Sequence, residues 1–179
     1  IGEKAPLALI SGAASARMAV SEAILNIAAN EIGPLAKLKL SANWMSASGK
    51  GREDQELFEA VKAIGEELCP ELGIGITVGK DSLSMHTQWQ ENGEDKQITS
   101  PVSLIISAFC VVNDVRNSLT PYFDRSKKQN IYYIDLANDK KRIGKWQKPC
   151  GKKHCLEALQ KLGTGHEFCL CHEVRCAKP

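Results

Sequence analysis

The chain has 179 residues, 43% hydrophobic and 25% charged, with a formal net charge of +2. That is enough for one globular domain or slightly more, and the charge is too small to mark a nucleic-acid or membrane-surface partner. No apolar run reaches the length of a membrane span; the longest, VSLIISAFCVV at 102–112, is strand-sized. No signal-peptide pattern is visible at the start. The first residue is Ile1, not Met, so the expectation is a piece of a longer protein, working in the cytoplasm.

In chain order, residues 5–10 (APLALI) form a short apolar lead-in to an Ala-rich helix over 11–30, with Ser11 or Ser15 as its cap and Gly33-Pro34 as its stop. Residues 35–42 (LAKLKLSA) place Leu38 and Leu40 on one face and Lys37 and Lys39 on the other, which is a half-buried strand. Residues 43–51 (NWMSASGKG) read as a small-residue loop near a ligand or tight turn. A second helix spans 54–68, its apolar stripe made of Leu57, Phe58, Val61, Ile64 and Leu68, with Glu53 and Asp54 suited to its N-terminus.

Residues 73–78 (GIGITV) read as a short buried strand and 79–82 as a loop. Residues 83–90 alternate as a strand, and Asn92-Gly93 marks a hairpin turn. A long strand is expected over 98–112, with Pro101 at an edge or bulge. The polar stretch 114–128 is a domain boundary, and 130–136 (NIYYIDL) opens a new strand. The order predicts an α+β (mixed α/β) fold rich in hairpins.

Several residue patterns carry chemistry. Glu22 and Asn26 are four apart in the first helix, so both leave one face. A carboxylate and an amide oxygen are the hard ligands that Mg2+ takes beside nucleotide phosphates. The competing reading is a solvated polar face, but the neighbours Ala23, Ile24, Leu25, Ile27, Ala28 and Ala29 leave little room for one. Gly79-Lys80-Asp81-Ser82 after an apolar strand fits an anion cradle, with Lys80 adding charge and Ser82 a donor. It lacks the spacing of a phosphate-binding G-x-x-x-x-G-K-[ST] loop, and an ordinary surface turn is the commoner alternative. Asn43 is either a turn residue or an orienting group for a substrate amide.

Cys69 and Cys110 lie in apolar stretches and read as buried thiols. The other five of seven cysteines, and three of four histidines, fall in the last thirty residues. An odd count in a cytosolic setting argues against a disulfide framework. For zinc, the spacings from Cys150 through Cys155, His166 and Cys169 to Cys171 are four, ten, two and one intervening residues, which match no common module.

The blocks SEAILNIAAN, LSANWMSASG, GEELCP, VGKDSLSM and TSPVSLIISAF, followed by LTPYF, occur in this order along the chain. Together they closely resemble the large single-chain type of phosphoribosylformylglycinamidine synthase, from residue 1 to about 143. The resemblance implies an ATP-dependent carbon–nitrogen ligase of purine biosynthesis. Such enzymes convert formylglycinamide ribonucleotide to the amidine with glutamine-derived ammonia, using Mg2+ and ATP and releasing ADP. It also implies the N-terminal domain of an aminoimidazole ribonucleotide synthetase-like fold, which contributes strands to a central β-barrel. The parts would be residues 1–117 as that domain of the second synthetase half, 118–129 as a linker, and 130–143 as the first strand of the following α/β domain.

By position, Glu22 and Asn26 match the family's metal-coordinating Glu and Asn. Ser82 matches a substrate-binding Ser of the small-type relatives. Lys80 stands where those relatives carry an Asn, so no metal role passes to it. The metal could serve a structural or a catalytic nucleotide, and no catalytic residue is assigned. Residues 144–179 depart from the family and read as an irregular, aberrant or frameshifted tail. The glutaminase domain, the other synthetase half and the remaining Asp ligands are not in this sequence. The expectation is therefore a chain inactive alone and prone to associate, with a non-catalytic Mg-nucleotide-binding or assembly module as the alternative.

Overall fold

The computed structural model describes residues 1–120, and the backbone of two further strands at 131–135 and 168–172. Helix α1 (Ala5–Ala8) is a single turn opened by Pro6. Helix α2 (Gly12–Ile27) begins where the Ser11 side chain accepts the Ala14 N–H at 3.2 Å. It closes at Ile27, well before Gly33-Pro34. There the Ala28 N–H is shared between the Ile24 and Leu25 carbonyls, and the Asn30 amide donates to the Ile27 carbonyl at 3.2 Å. Gly33, at φ +63°, then turns the chain.

Strand β1 (Lys39–Met45) is the centre of a three-stranded sheet. Helix α3 (Glu53–Lys62) follows, runs through a π-helical turn at Ala63–Leu68, and ends in α4 (Cys69–Leu72), capped by Gly73 at φ 66°. This crossover returns the chain to β2 (Gly75–Ser82), parallel to β1. Strands β3 (His86–Glu91) and β4 (Glu94–Thr99) form a separate hairpin. Asn92 and Gly93, at φ 55° and 79°, make its two-residue turn. Strand β5 (Ser103–Phe109) pairs antiparallel with the other side of β1, giving the order β2-β1-β5. Strands β6 (Ile131–Asp135) and β7 (Phe168–His172) pair in parallel. The fold is mixed α+β, and no closed barrel forms among the described residues.

The register sorts the sheet into two faces. Leu40, Ala42, Leu104 and Ile106 point to the helical side, where α2 packs on the sheet, each at most 1% exposed. Val20, Ala23 and Ile24 of α2, with Ala60, Ile64 and Leu68 of the second helical layer, complete this core. The alternate residues Ser41, Asn43, Met45, Ile105 and Phe109 point the other way, where Phe109 is 58% exposed.

Several sequence expectations change here. Leu38 and Leu40 are buried as expected, but residues 35–37 form a 3-10 turn and the strand continues through Met45. Asn43 therefore lies within β1, not in a loop. Phe58 and Val61 are exposed, because Leu57, Ala60, Ile64 and Leu68 carry the buried side of that helix; Ala60 occupies the seam where the larger residues were expected. The 73–78 run is not a buried strand: β2 is a sheet edge, and Val78 is 65% exposed. Residues 79–82 are strand, not loop, because they pair with Ala42 through Met45. The long strand over 98–112 is two strands, broken between Thr99 and Ser103 around Pro101. Cys69 is buried and Cys110 half-buried; burial pushes both thiols up.

The first residues beyond the expected boundary at 117 are fastened to the end of α2, with Ser118 Oγ donating to Asn30 Oδ1 at 2.8 Å and the Leu119 N–H to the Ala29 carbonyl at 2.7 Å. Within the stretch expected to be irregular, residues 168–172 run as β7. The rest of that tail, including Cys150, Cys155 and His166, lies outside the described residues, as do 121–130.

Candidate functional site

The same face of α2 carries Glu22 and Asn26, and that face holds the N-terminal segment. Glu22 Oε2 accepts the Glu3 backbone N–H at 2.8 Å, and Oε1 accepts the Lys4 ammonium at 2.7 Å. Asn26 is exposed and its amide nitrogen donates to the Ile1 carbonyl at 2.7 Å. On its other side the segment joins the sheet edge, where Gly2 and Ile106 exchange two backbone hydrogen bonds of 2.9 Å. Gly2 is required by this squeeze: a Cβ there would sit 2.0 Å from the Ala19 carbonyl oxygen. The segment is thus a backbone bridge between α2 and β5, and the Glu-Asn pair is one of its clamps.

Partial burial pushes the Glu22 carboxyl up, but the Lys4 hydrogen bond, the Glu3 N–H and the charges of Lys4 and the N-terminus outweigh it. The net shift is downward, so the group is an anion at neutral pH. With the Asn26 amide one turn away, the pair offers hard oxygen donors, and the carboxylate already faces a cation, the lysine ammonium. This donor set fits Mg2+, which takes one or two carboxylates plus phosphates and water. Among the described residues there is no cluster of three or more His, Cys, Asp or Glu that could hold a metal by itself.

The second group is divided by the pleat. Asn43, Lys80 and Ser82 share the uncovered face, with Asn43 opposite Lys80 in register and Lys80 Nζ donating to Ser82 Oγ at 2.9 Å. The Asn43 side-chain oxygen is buried with no hydrogen-bond partner among the described residues. Gly79 and Asp81 fall on the opposite face, opposite Ala42 and Trp44. Successive N–H groups of an extended strand point in opposite directions, so this segment does not form the convergent anion cradle that a loop would. The structure keeps the two groups apart. Between β2 and the N-terminal bridge lie β1 and β5, three strand spacings of about 4.8 Å, or roughly 14 Å.

Sequence reasoning missed the roles of three supporting groups. Glu56 reaches across from α3 to accept the first α2 N–H, that of Gly12, at 2.7 Å, while its other oxygen accepts Arg52 at 2.7 Å. A carboxylate at a helix N-terminus is favoured by the dipole, but its partner is 44 residues away in sequence. Asp54 closes the 46–51 turn by accepting the Gly49 N–H at 2.9 Å; that bond, with one from Ser48, holds its carboxyl below the usual range. Lys4 is the third, and only its short distance from Glu22 in the fold marks it.

Comparison with protein families supplies the wider frame: the model described as the FGAR-AT PurM_N-like domain matches residues 1–111. The match covers α2, the whole three-stranded sheet and both residue groups described above.

Proposed function

The chain belongs to the FGAR-AT PurM_N-like domain family, and from that premise we propose that it is a fragment of the second synthetase half, chiefly its N-terminal domain, of a phosphoribosylformylglycinamidine synthase of the large single-chain type. The reaction is the ATP-dependent conversion of formylglycinamide ribonucleotide to its amidine, with glutamine as the source of ammonia. The observation that carries the reading is the family match over 1–111 with Glu22 and Asn26 on one face of α2 inside it.

In this reading Glu22 and Asn26 hold Mg2+ through their side-chain oxygens. When bound, the metal supplies charge neutralisation at the nucleotide phosphates. The chain's own contribution is placement: Glu22 is kept anionic, and α2 is fixed to the sheet by the bridge at Gly2. On the uncovered face, Lys80 supplies positive charge and Ser82 and Asn43 supply hydrogen-bonding groups for an anionic, amide-containing substrate. Gly79 and Asp81 are secondary, since their side of the strand faces away from those three.

The reading also includes inactivity of the chain alone, working with the other synthetase half and a glutaminase as partners. The Glu-Asn pair is too few ligands for a complete site, and the exposed β2 edge and uncovered sheet face are surfaces that call for a partner. These last features equally support a non-catalytic Mg-nucleotide-binding or assembly module. The purified chain, given formylglycinamide ribonucleotide, Mg-ATP and ammonia, is expected to form no amidine. It is expected to bind a fluorescent ADP analogue only when Mg2+ is present. Amidine formation would overturn the inactivity, and Mg-independent or absent nucleotide binding would overturn the site.

A further inference from the structure

We propose that Asn92, at the tip of the β3–β4 hairpin, is a site of spontaneous deamidation, in which the Gly93 backbone nitrogen attacks its side-chain amide and an aspartate or isoaspartate results. The inference is independent of the metal and substrate readings above. In the reaction the Gly93 nitrogen gives up its proton and bonds to Asn92 Cγ, the Cγ–Nδ2 bond breaks, and ammonia leaves a cyclic imide. Water then opens the imide at either carbonyl. Nothing is oxidised or reduced, and water is the only co-reactant.

Ring closure needs an unhindered backbone nitrogen after the asparagine, and glycine, which has no Cβ, supplies it. Asn92 is the one asparagine of the sequence that precedes a glycine. Both residues are exposed, and no atom lies within 4 Å of where a Gly93 Cβ would stand. Other asparagines are held or hindered. Asn26 lies in α2 before Ile27, and Asn43 lies in the central strand before Trp44. Asn117 precedes the small Ser118, but its amide is committed to Glu31 Oε2.

The attack requires the backbone to rotate at Asn92, which the closed two-residue turn opposes, so it proceeds when the hairpin opens. Opening is easy here. Strands β3 and β4 are exposed along their length apart from the half-buried Lys96, and among the described residues no other element packs broadly on them. Their side-chain links are surface pairs, Gln90 to Asp95 at 2.8 Å and Lys96 to Glu91 at 2.6 Å. A lone two-stranded hairpin is marginal in water, and hairpins re-form in about 1–10 μs, so opening equilibrates long before the covalent step. Glu91 and Glu94 already stand directly opposite each other, a repelling pair. The product adds another negative charge beside them, and an isoaspartate also lengthens the backbone inside the turn. Modification therefore favours the open hairpin.

The test is incubation of the full chain at mildly alkaline pH, followed by trypsin digestion and mass spectrometry of the peptide 81–96, in which Asn92 is the one asparagine. Enzymatic methylation of isoaspartate is the second readout. The expected result is conversion in this peptide with Asn117 unchanged, and loss of both signals in Asn92→Gln. Trp89→Ala removes the largest cross-strand side chain of the hairpin and none of the core. It is expected to speed conversion severalfold while the thermal melt stays in place. If that melt falls, Ile98→Ala, whose side chain is 63% exposed, serves with the same expectation. No conversion at Asn92, or equal conversion at Asn117, overturns the site. Conversion at Asn92 that proceeds at one rate in wild type and the hairpin variants overturns the role of hairpin opening and leaves the site standing.

Discussion

The two faces of the β2-β1-β5 sheet differ in what holds their residues. On the covered face, Ile106 is fully buried, packed beneath α2 and bonded through its backbone to Gly2. Glu22 and Asn26 inherit that rigidity, since their partners are the residues on either side of Gly2. On the uncovered face, the exposed Lys80 and the half-buried Ser82 touch each other on an edge strand, and the nearby Val78 is open. A metal ligand must be held in place before the metal arrives, and the first arrangement does this while the second does not. In the proposed reading, that difference separates a preformed metal site from a surface that a partner has to complete.

Substitutions at the shared core should separate the faces most sharply. Ile106→Ala is expected to lose about 2–5 kcal/mol in chemical denaturation, whereas Val78→Ala on the open face stays within about 0.5 kcal/mol. Comparable losses at both positions would mean that the open face is packed in solution. Next in size is Gly2→Ala, whose methyl group has no room against the Ala19 carbonyl. Overpacking of this kind costs about 1–3 kcal/mol. The bridge should loosen, with faster hydrogen exchange at the Gly2 and Ile106 amides. Unchanged exchange at Ile106 would show that the bridge is not a clamp. Glu56→Ala, which uncaps α2, is expected to cost about 1 kcal/mol, read as a lower melting temperature.

The smallest effect is in pH. The folded Glu22 carboxyl is held below its ordinary value of 4.5. Its contribution is therefore present above that value and lost as pH falls through the depressed folded value. Stability of wild type should drop more steeply than that of Glu22→Gln in this acid range. Parallel curves would show that the Lys4 and Glu3 contacts carry no stability.

Legibility followed the range of the interactions. The Asn92-Gly93 turn, the cap at Ser11 (one of the two expected serines) and the burial of Leu38 and Leu40 are set by neighbouring residues, and the structure shows all three. The Glu22/Asn26 face was readable because one helical turn fixes it. What failed depended on distant pairing. Gly79–Ser82 resembles a loop until β1 recruits it as a strand, and Asn43 resembles a turn residue until β5 and β2 flank it. Phe58 and Val61 outweigh Ala60 by size in a periodicity reading, yet close packing of α3 against α2 selects the small residue for the seam. Lys4 and Glu56 lie 18 and 44 residues from the groups they bond, and no local pattern announces them.

The proposed nucleotide-metal site belongs to the α2 pair and not to the β2 strand. Calorimetric titration with Mg-ADP tests it directly, comparing wild type with Glu22→Ala, Asn26→Ala and the pair Lys80→Ala/Ser82→Ala. The prediction is binding by wild type, loss of detectable heat in either α2 variant, and no more than a severalfold weakening in the β2 variant. Full binding by Glu22→Ala, or loss confined to the β2 variant, would contradict it.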